Sequence, residues 1–160
     1  MSYSFTIPLR PKAKERPRHR GSIAYTPKAT RDYEEQIRYY YNRDIGRQPT
    51  DKPVIITLCF NFAQPKGGSA RNKHTAIGTC PYSSRPDLDN IEKTVMDALN
   101  GVAFHDDSQV VAKVSLKRYW FDSSITVTIE EMEMIDYGKS VFAGFSADRG
   151  SGGSDPHAGS

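Results

Sequence analysis

The sequence predicts an α+β fold, a small mixed β-sheet with two main helices in the order β-α-β-α-β-β. Three observations carry that reading. Residues 26–45 and 87–101 each repeat apolar side chains at helical spacing, which marks two amphipathic helices. Residues 5–9, 53–62, 110–117 and 125–132 are instead alternating or β-branched runs, which marks strands. The strands are first separated by helices and then follow one another directly, a pattern that suits helices packed against one sheet.

The elements follow in order. "SFTIPL" alternates Phe5, Ile7 and Leu9 with polar positions, as a first strand does. "RPKAKERPRHRG" has prolines, a glycine and six basic residues without periodicity, so it reads as an exposed loop. The first helix has Thr26 or Thr30 as N-cap candidates, with Pro27 tolerated in the first turn. Tyr33, Ile37, Tyr40 and Tyr41 share one face, which fits core packing better than base stacking. "PVIITLCFNF" is β-branched and aromatic throughout and suits a central strand. Residues 63–85 are polar, Gly/Ser-rich and aperiodic, and a loop of that length inside a domain is functional or disordered. "DLDNIEKTVMDALNG" is the clearest helix. Asp89 and Glu92 have capping-box spacing, Leu88, Ile91, Val95, Ala98 and Leu99 line one face, and Asn100-Gly101 supplies the stop. "QVVAKVSLKRYW" and "ITVTIEEM" alternate on either side of "FDSS" and read as a hairpin. Residues 1–136 are therefore expected to form one domain, and 137–160, poor in apolar residues and containing the linker-like "GSGGS", a flexible tail.

The net charge of +3 is unevenly distributed. Residues 1–31 hold eight basic residues against Glu15, a balance of +7, whereas 121–160 carry −5. A basic front half points to a polyanionic partner. Lys12, Lys14, Arg16, Arg18 and Arg20, with Lys73 and Arg85 from the acid-free long loop, are the candidates to grip DNA phosphates. The opening "MSYSFTIPLR" has no signal-peptide character, and no run approaches the ~18 apolar residues of a membrane span. The expectation is a soluble cytoplasmic protein with reduced thiols at Cys59 and Cys80. These cysteines with His74 and His105 lack zinc-site spacing.

Asp87, Asp89, Asp106 and Asp107 stand close to one short helix, with Lys93 between them. Singly, each has an ordinary explanation. Asp89 caps a helix, Asp97 pairs with Lys93 four residues away, and Asp106 and Asp107 occupy a turn. Should folding gather them, two carboxylates ~5 Å apart repel by about 3 kcal/mol at an effective dielectric near 20, and a cation relieves it. All-oxygen anionic ligands suit Mg²⁺, with Mn²⁺ as a substitute. An ion of that kind is suited to phosphodiester cleavage. An EF-hand fails, because Ile91 and Glu92 stand where it needs Asp or Asn and then Gly. "DLDNI" lacks the apolar strand that must precede an Asp-x-Asp phosphatase motif, and there is no Asp-Thr/Ser-Gly, P-loop or GxSxG.

The stretch "RPDLDNIEKTVMDALNGVAFHDDSQVVAKVSLKRY" resembles the signature of the RusA family of Holliday-junction resolvases. The resemblance rests on Asp-Leu-Asp-Asn, a lysine four residues past the second Asp, Asp-Ala-Leu near the helix end, and Asp-Asp-x-Gln-Val opening a strand. It implies a homodimeric, Mg²⁺-dependent endonuclease of DNA recombination and repair that nicks two strands of a four-way junction, leaving 5′-phosphate and 3′-hydroxyl ends. It further implies Asp87, Asp89 and Asp107 as catalytic metal ligands, Asp106 as an assisting ligand, Lys93 as the catalytic contact to the scissile phosphate and Asn90 as an orienting group. The loop 63–85 is longer and more Gly/Ser-rich than the family leads one to expect, and the tail has no counterpart. A nuclease for other branched DNA and a non-catalytic DNA-binding protein are the alternatives.

Overall fold

In the computed structural model of the chain, the described residues are 1–15, 18–64 and 80–133. Their elements run β1 (Ser2–Ile7), β2 (Arg18–Arg20), β3 (Ile23–Tyr25), α1 (Lys28–Asp44), β4 (Val54–Ala63), α2 (Leu88–Leu99), a 3₁₀ turn (Asp107–Gln109), β5 (Val110–Trp120) and β6 (Ser124–Glu131). The architecture is the expected α+β arrangement of two helices and a mixed sheet. The expected tail lies outside the described residues, as does 65–79 of the long loop.

The centre of the sheet is β4. Its Ile56, Leu58, Phe60 and Phe62 point into the core, while Ile55 and Cys59 are buried on the opposite face. Filling both faces explains why this strand reads as a continuous apolar run rather than an alternation. The sheet order is β1-β6-β4-β5, with β4 parallel to β5 and every other pair antiparallel. The helices cover one face. Tyr33, Ile37 and Tyr41 of α1 and Ile91, Val95, Ala98 and Leu99 of α2 close the core over Phe5, Ile7, Ile125, Val127 and Ile129. The tyrosine stripe of α1 is thus core packing, with Tyr40 half-buried beside it.

The expected hairpin of β5 and β6 does not form, because β4 lies between them. Residues 121–123 cross the end of β4, where the Ala63 amide donates to Ser123 Oγ at 3.1 Å. Alternation shows that a strand is half-buried but not which strand is its neighbour, and β4, apolar on both faces, takes a partner on each edge. The basic loop also departs from expectation. It contains an antiparallel ribbon, β2 with β3, turned by Gly21 at φ 65. This ribbon is hidden from pattern reading because Ile23, Ala24 and Tyr25 are all exposed, so no buried face imposes a period.

Both helix starts differ from the caps expected. Pro27, not Thr26 or Thr30, precedes α1 and makes no side-chain cap; its carbonyl accepts from the Thr30 and Arg31 amides. Asp87 precedes α2, and no Asp89–Glu92 capping box forms, because Glu92 is drawn instead to Lys113 of β5, 2.6 Å away. The expected stop at Asn100-Gly101 is present. The Asn100 amide donates to Met96 O, and Gly101 adopts φ 74, a left-handed conformation that glycine tolerates without strain.

Candidate active site

Helix α2 and the start of β5 form the two walls of an open cleft of ≈ 480 Å³. Asp89, Glu92, Lys93, Met96 and Asp97 come from α2, at the 3- and 4-residue spacings that share a helix face. Asp107, Val110, Val111, Ala112 and Lys113 come from the 3₁₀ turn and β5. The cleft therefore joins two of the acidic motifs read from the sequence, Asp89 from the first and Asp107 from the second.

The ionic groups of this cleft divide by partner. Glu92 is paired with Lys113, which ties α2 to β5. Asp97 does not pair with Lys93 as expected; it accepts from the Lys14 ammonium, which also lies 3.3 Å from Glu34 of α1. Asp89, Asp107 and Lys93 are exposed and make no ion pair among the described residues. Two carboxylates and one ammonium thus face the cleft without an ion pair among the described residues.

Asp106 is differently used. Its carboxylate accepts from the Ser108 amide at 2.8 Å, and its own amide donates to Gln109 Oε1 at 2.9 Å, a complete capping box. Hydrogen bonding from Ser108 holds its carboxyl below the ordinary aspartate range. Gln109 Nε2 donates to the carbonyls of Thr50 and Lys52, which fastens the turn to the segment before β4. Asp106 and Gln109 together present Asp107 at the mouth of the cleft.

Asp87 is exposed at the N-cap of α2 and is absent from the cleft lining; its side chain makes no cap bond. Among the described residues, no three His, Cys, Asp or Glu side chains are gathered closely enough to hold a metal ion unaided. The donor set still suits one kind of ion. Mg²⁺ is commonly held by one or two carboxylates, several waters and substrate phosphates, and Asp89 with Asp107 in an open cleft offers the protein share of that shell.

The expected DNA contacts are distributed unevenly. Lys12 is exposed, with Glu15 3.5 Å away, and Arg85 is exposed two residues before Asp87. Lys14 is turned inward onto Asp97 and Glu34. Arg18 and Arg20 stand in β2, and Arg16 and Lys73 lie outside the described residues. Sequence reasoning missed Glu92 and Lys113 as cleft residues. Their signal, opposite charges on a helix and on a strand 21 positions apart, has no local signature.

Residues 8–130 match the family model described as "Endodeoxyribonuclease RusA". The chain is also 29% identical over 137 residues to "Uncharacterized protein YqaN" of Bacillus subtilis (strain 168), a match that covers 80% of this chain and 95% of that relative. No described helix is long and apolar enough to cross a membrane.

Proposed function

The chain belongs to the RusA endodeoxyribonuclease family, and from that premise we propose that it resolves four-way DNA junctions by paired, divalent-metal-dependent nicks. The observation that carries the proposal is the cleft in which Asp89 and Asp107, without ion-pair partners among the described residues, face a common space with Lys93. A protein that only bound DNA would gain nothing from unpaired anions where phosphate must approach.

In this reading Asp89 and Asp107 would hold Mg²⁺ or Mn²⁺, with Asp87 joining them from the N-cap and Asp106 holding the turn. A bound divalent ion neutralises phosphate charge and makes water a better nucleophile at neutral pH. Lys93, one helical turn after Asp89, places its ammonium where charge accumulates on the scissile phosphate. Attack of water on phosphorus breaks the bond to the 3′ oxygen and leaves 5′-phosphate and 3′-hydroxyl ends. The exposed Lys12 and Arg85, with the basic residues of the ribbon, supply sequence-independent phosphate contacts. A two-fold dimer would present one site to each of two equivalent strands.

The test is cleavage of a labelled mobile four-way junction with and without Mg²⁺. Wild type should cut both strands symmetrically, and Asp89→Asn should lose at least ~100-fold in rate while binding the junction within a few-fold of wild type. Flap substrates in competition report whether the junction is preferred. A wild-type protein inert with both Mg²⁺ and Mn²⁺, or an Asp89→Asn variant that cuts normally, refutes the proposal.

A further inference from the structure

The segment that leads into Asp87 has no regular structure of its own, yet it is tied down at four carbonyls, those of Cys80, Ser84, Arg85 and Pro86. The Tyr82 amide donates to Lys117 O and the Tyr119 amide to Cys80 O, both at 3.0 Å, so residues 80–82 lie along the open edge of β5. The Tyr82 ring stacks on Phe62 with centroids 3.9 Å apart, and its hydroxyl donates to Arg85 O at 2.9 Å. Lys117 Nζ then donates to Ser84 O and Pro86 O, each at 2.8 Å. Three successive carbonyls, those of Ser84, Arg85 and Pro86, are thereby held by two side chains.

The role of Lys117 is unusual within this molecule. Lys14, Lys52 and Lys113 each face a carboxylate. Lys117, half-buried, faces two neutral carbonyls and, at 5.5 Å, the Tyr82 ring. Ammonium-to-carbonyl bonds are charge-assisted and stronger than neutral ones, so this contact is a firm one. Pro86 O belongs to the peptide plane shared with Asp87, and fixing one side of a planar unit fixes the other. The bond therefore sets the direction in which the chain delivers Asp87 and begins α2, whose first turn carries Asp89.

We propose that Lys117 is a positioning residue for the metal-binding carboxylates, acting through the backbone of Ser84–Pro86 on Asp87. This inference rests on the reading of Asp87, Asp89 and Asp107 as metal ligands. Partners that orient metal ligands without touching the metal typically matter 10- to 100-fold for affinity or activity.

The experiment compares wild type, Lys117→Met, Lys117→Arg, Tyr82→Phe and Asp89→Asn. Mn²⁺ binding to the DNA-free protein is measured by calorimetric titration or by the loss of the free-ion spin-resonance signal. Single-turnover junction cleavage is followed across Mn²⁺ concentrations, and thermal unfolding is recorded in parallel. Lys117→Met keeps the chain length but donates nothing. It should weaken Mn²⁺ binding about 10-fold or more and move the cleavage midpoint to higher Mn²⁺, with junction affinity changed less than ~3-fold. Arginine, which also donates twice, should restore most of the loss. Lys117→Met that binds Mn²⁺ like wild type overturns the inference even where its unfolding temperature falls, since a purely structural lysine would do that. Should Lys117→Met not fold, Tyr82→Phe carries the test. Losing its single neutral bond should weaken Mn²⁺ binding about fivefold, and no change overturns the inference. The two readings fail differently. Wild type that binds Mn²⁺ and cuts, alongside an unaffected Lys117→Met, sinks only the role of Lys117; wild type that neither binds nor cuts sinks both.

Discussion

Lys14→Met is expected to destabilise the fold by about 2 kcal/mol, a value that follows from where the ammonium sits. Lys14 Nζ is 3.3 Å from Glu34 Oε1 and directly bonded to Asp97, with side-chain exposures of 22% for Lys14, 11% for Glu34 and 35% for Asp97. At an effective dielectric near 20 the contact with Glu34 has a gross attraction of about 5 kcal/mol, most of it offset by lost hydration. Exposed pairs measure ~0.2–1 kcal/mol, and breaking a buried pair costs about 3–5 kcal/mol. This cluster lies between those limits. After the substitution Glu34 keeps, among the described residues, only Arg38, 4.0 Å away.

Urea unfolding provides the assay, and the midpoint should fall by about 1 M for a slope near 2 kcal/mol/M. Adding Glu34→Gln should recover about 1 kcal/mol, because it removes the stranded buried charge. Burial pulls the Lys14 ammonium down, but the bond to Asp97 and the charges of Glu34 and Asp97 outweigh it, so its pKa lies above the ordinary lysine value. A group raised in this way contributes fully below the ordinary lysine range and loses its contribution as pH climbs through the raised value. The deficit of Lys14→Met should therefore be constant from neutral pH to about 9 and shrink only at higher pH. A midpoint within ~0.5 kcal/mol of wild type would show that the basic arm merely rests on the helices as solvated charge.

Three further outcomes can be checked. Lys93→Ala should slow single-turnover cleavage about 100-fold while changing junction affinity less than ~3-fold; an unchanged rate would make Lys93 a solvated surface charge. Gln109→Ala removes the donor to Thr50 O and Lys52 O and the acceptor for the Asp106 amide, and should cost about 2 kcal/mol in thermal or urea unfolding. Burial pushes the Cys59 thiol up from its ordinary range. Native Cys59 should therefore alkylate much more slowly than the same residue in denatured protein at pH 8, with the native rate still rising above pH 9, as peptide mass spectrometry would report.

The amino-acid sequence by itself determined both helices, the four strands of the main sheet and the α+β class. The helices, β1 and β6 bury one face and so leave a period of 3.6 or 2, β4 buries both faces and leaves a β-branched apolar run, and β5 alternates although its Val114 and Leu116 are exposed. Asn100-Gly101 as a stop and β4 as a central strand were legible for equally local reasons. The β2–β3 ribbon was not, since Ile23, Ala24 and Tyr25 of β3 are all exposed. The strand order was not, since alternation is blind to the identity of a neighbour. The tertiary structure alone decided how the charges are spent. It draws Lys14 to Asp97, Glu92 to Lys113, and Asp106 into capping its own turn. Those contacts join residues up to 83 positions apart, a separation that no spacing rule encodes. Among the described residues, what they leave without an ion pair in the cleft is Asp89, Asp107 and Lys93. The candidate chemistry was visible as residue types in a motif. Which of them are free to perform it depends on long-range electrostatic pairing that only the folded chain completes.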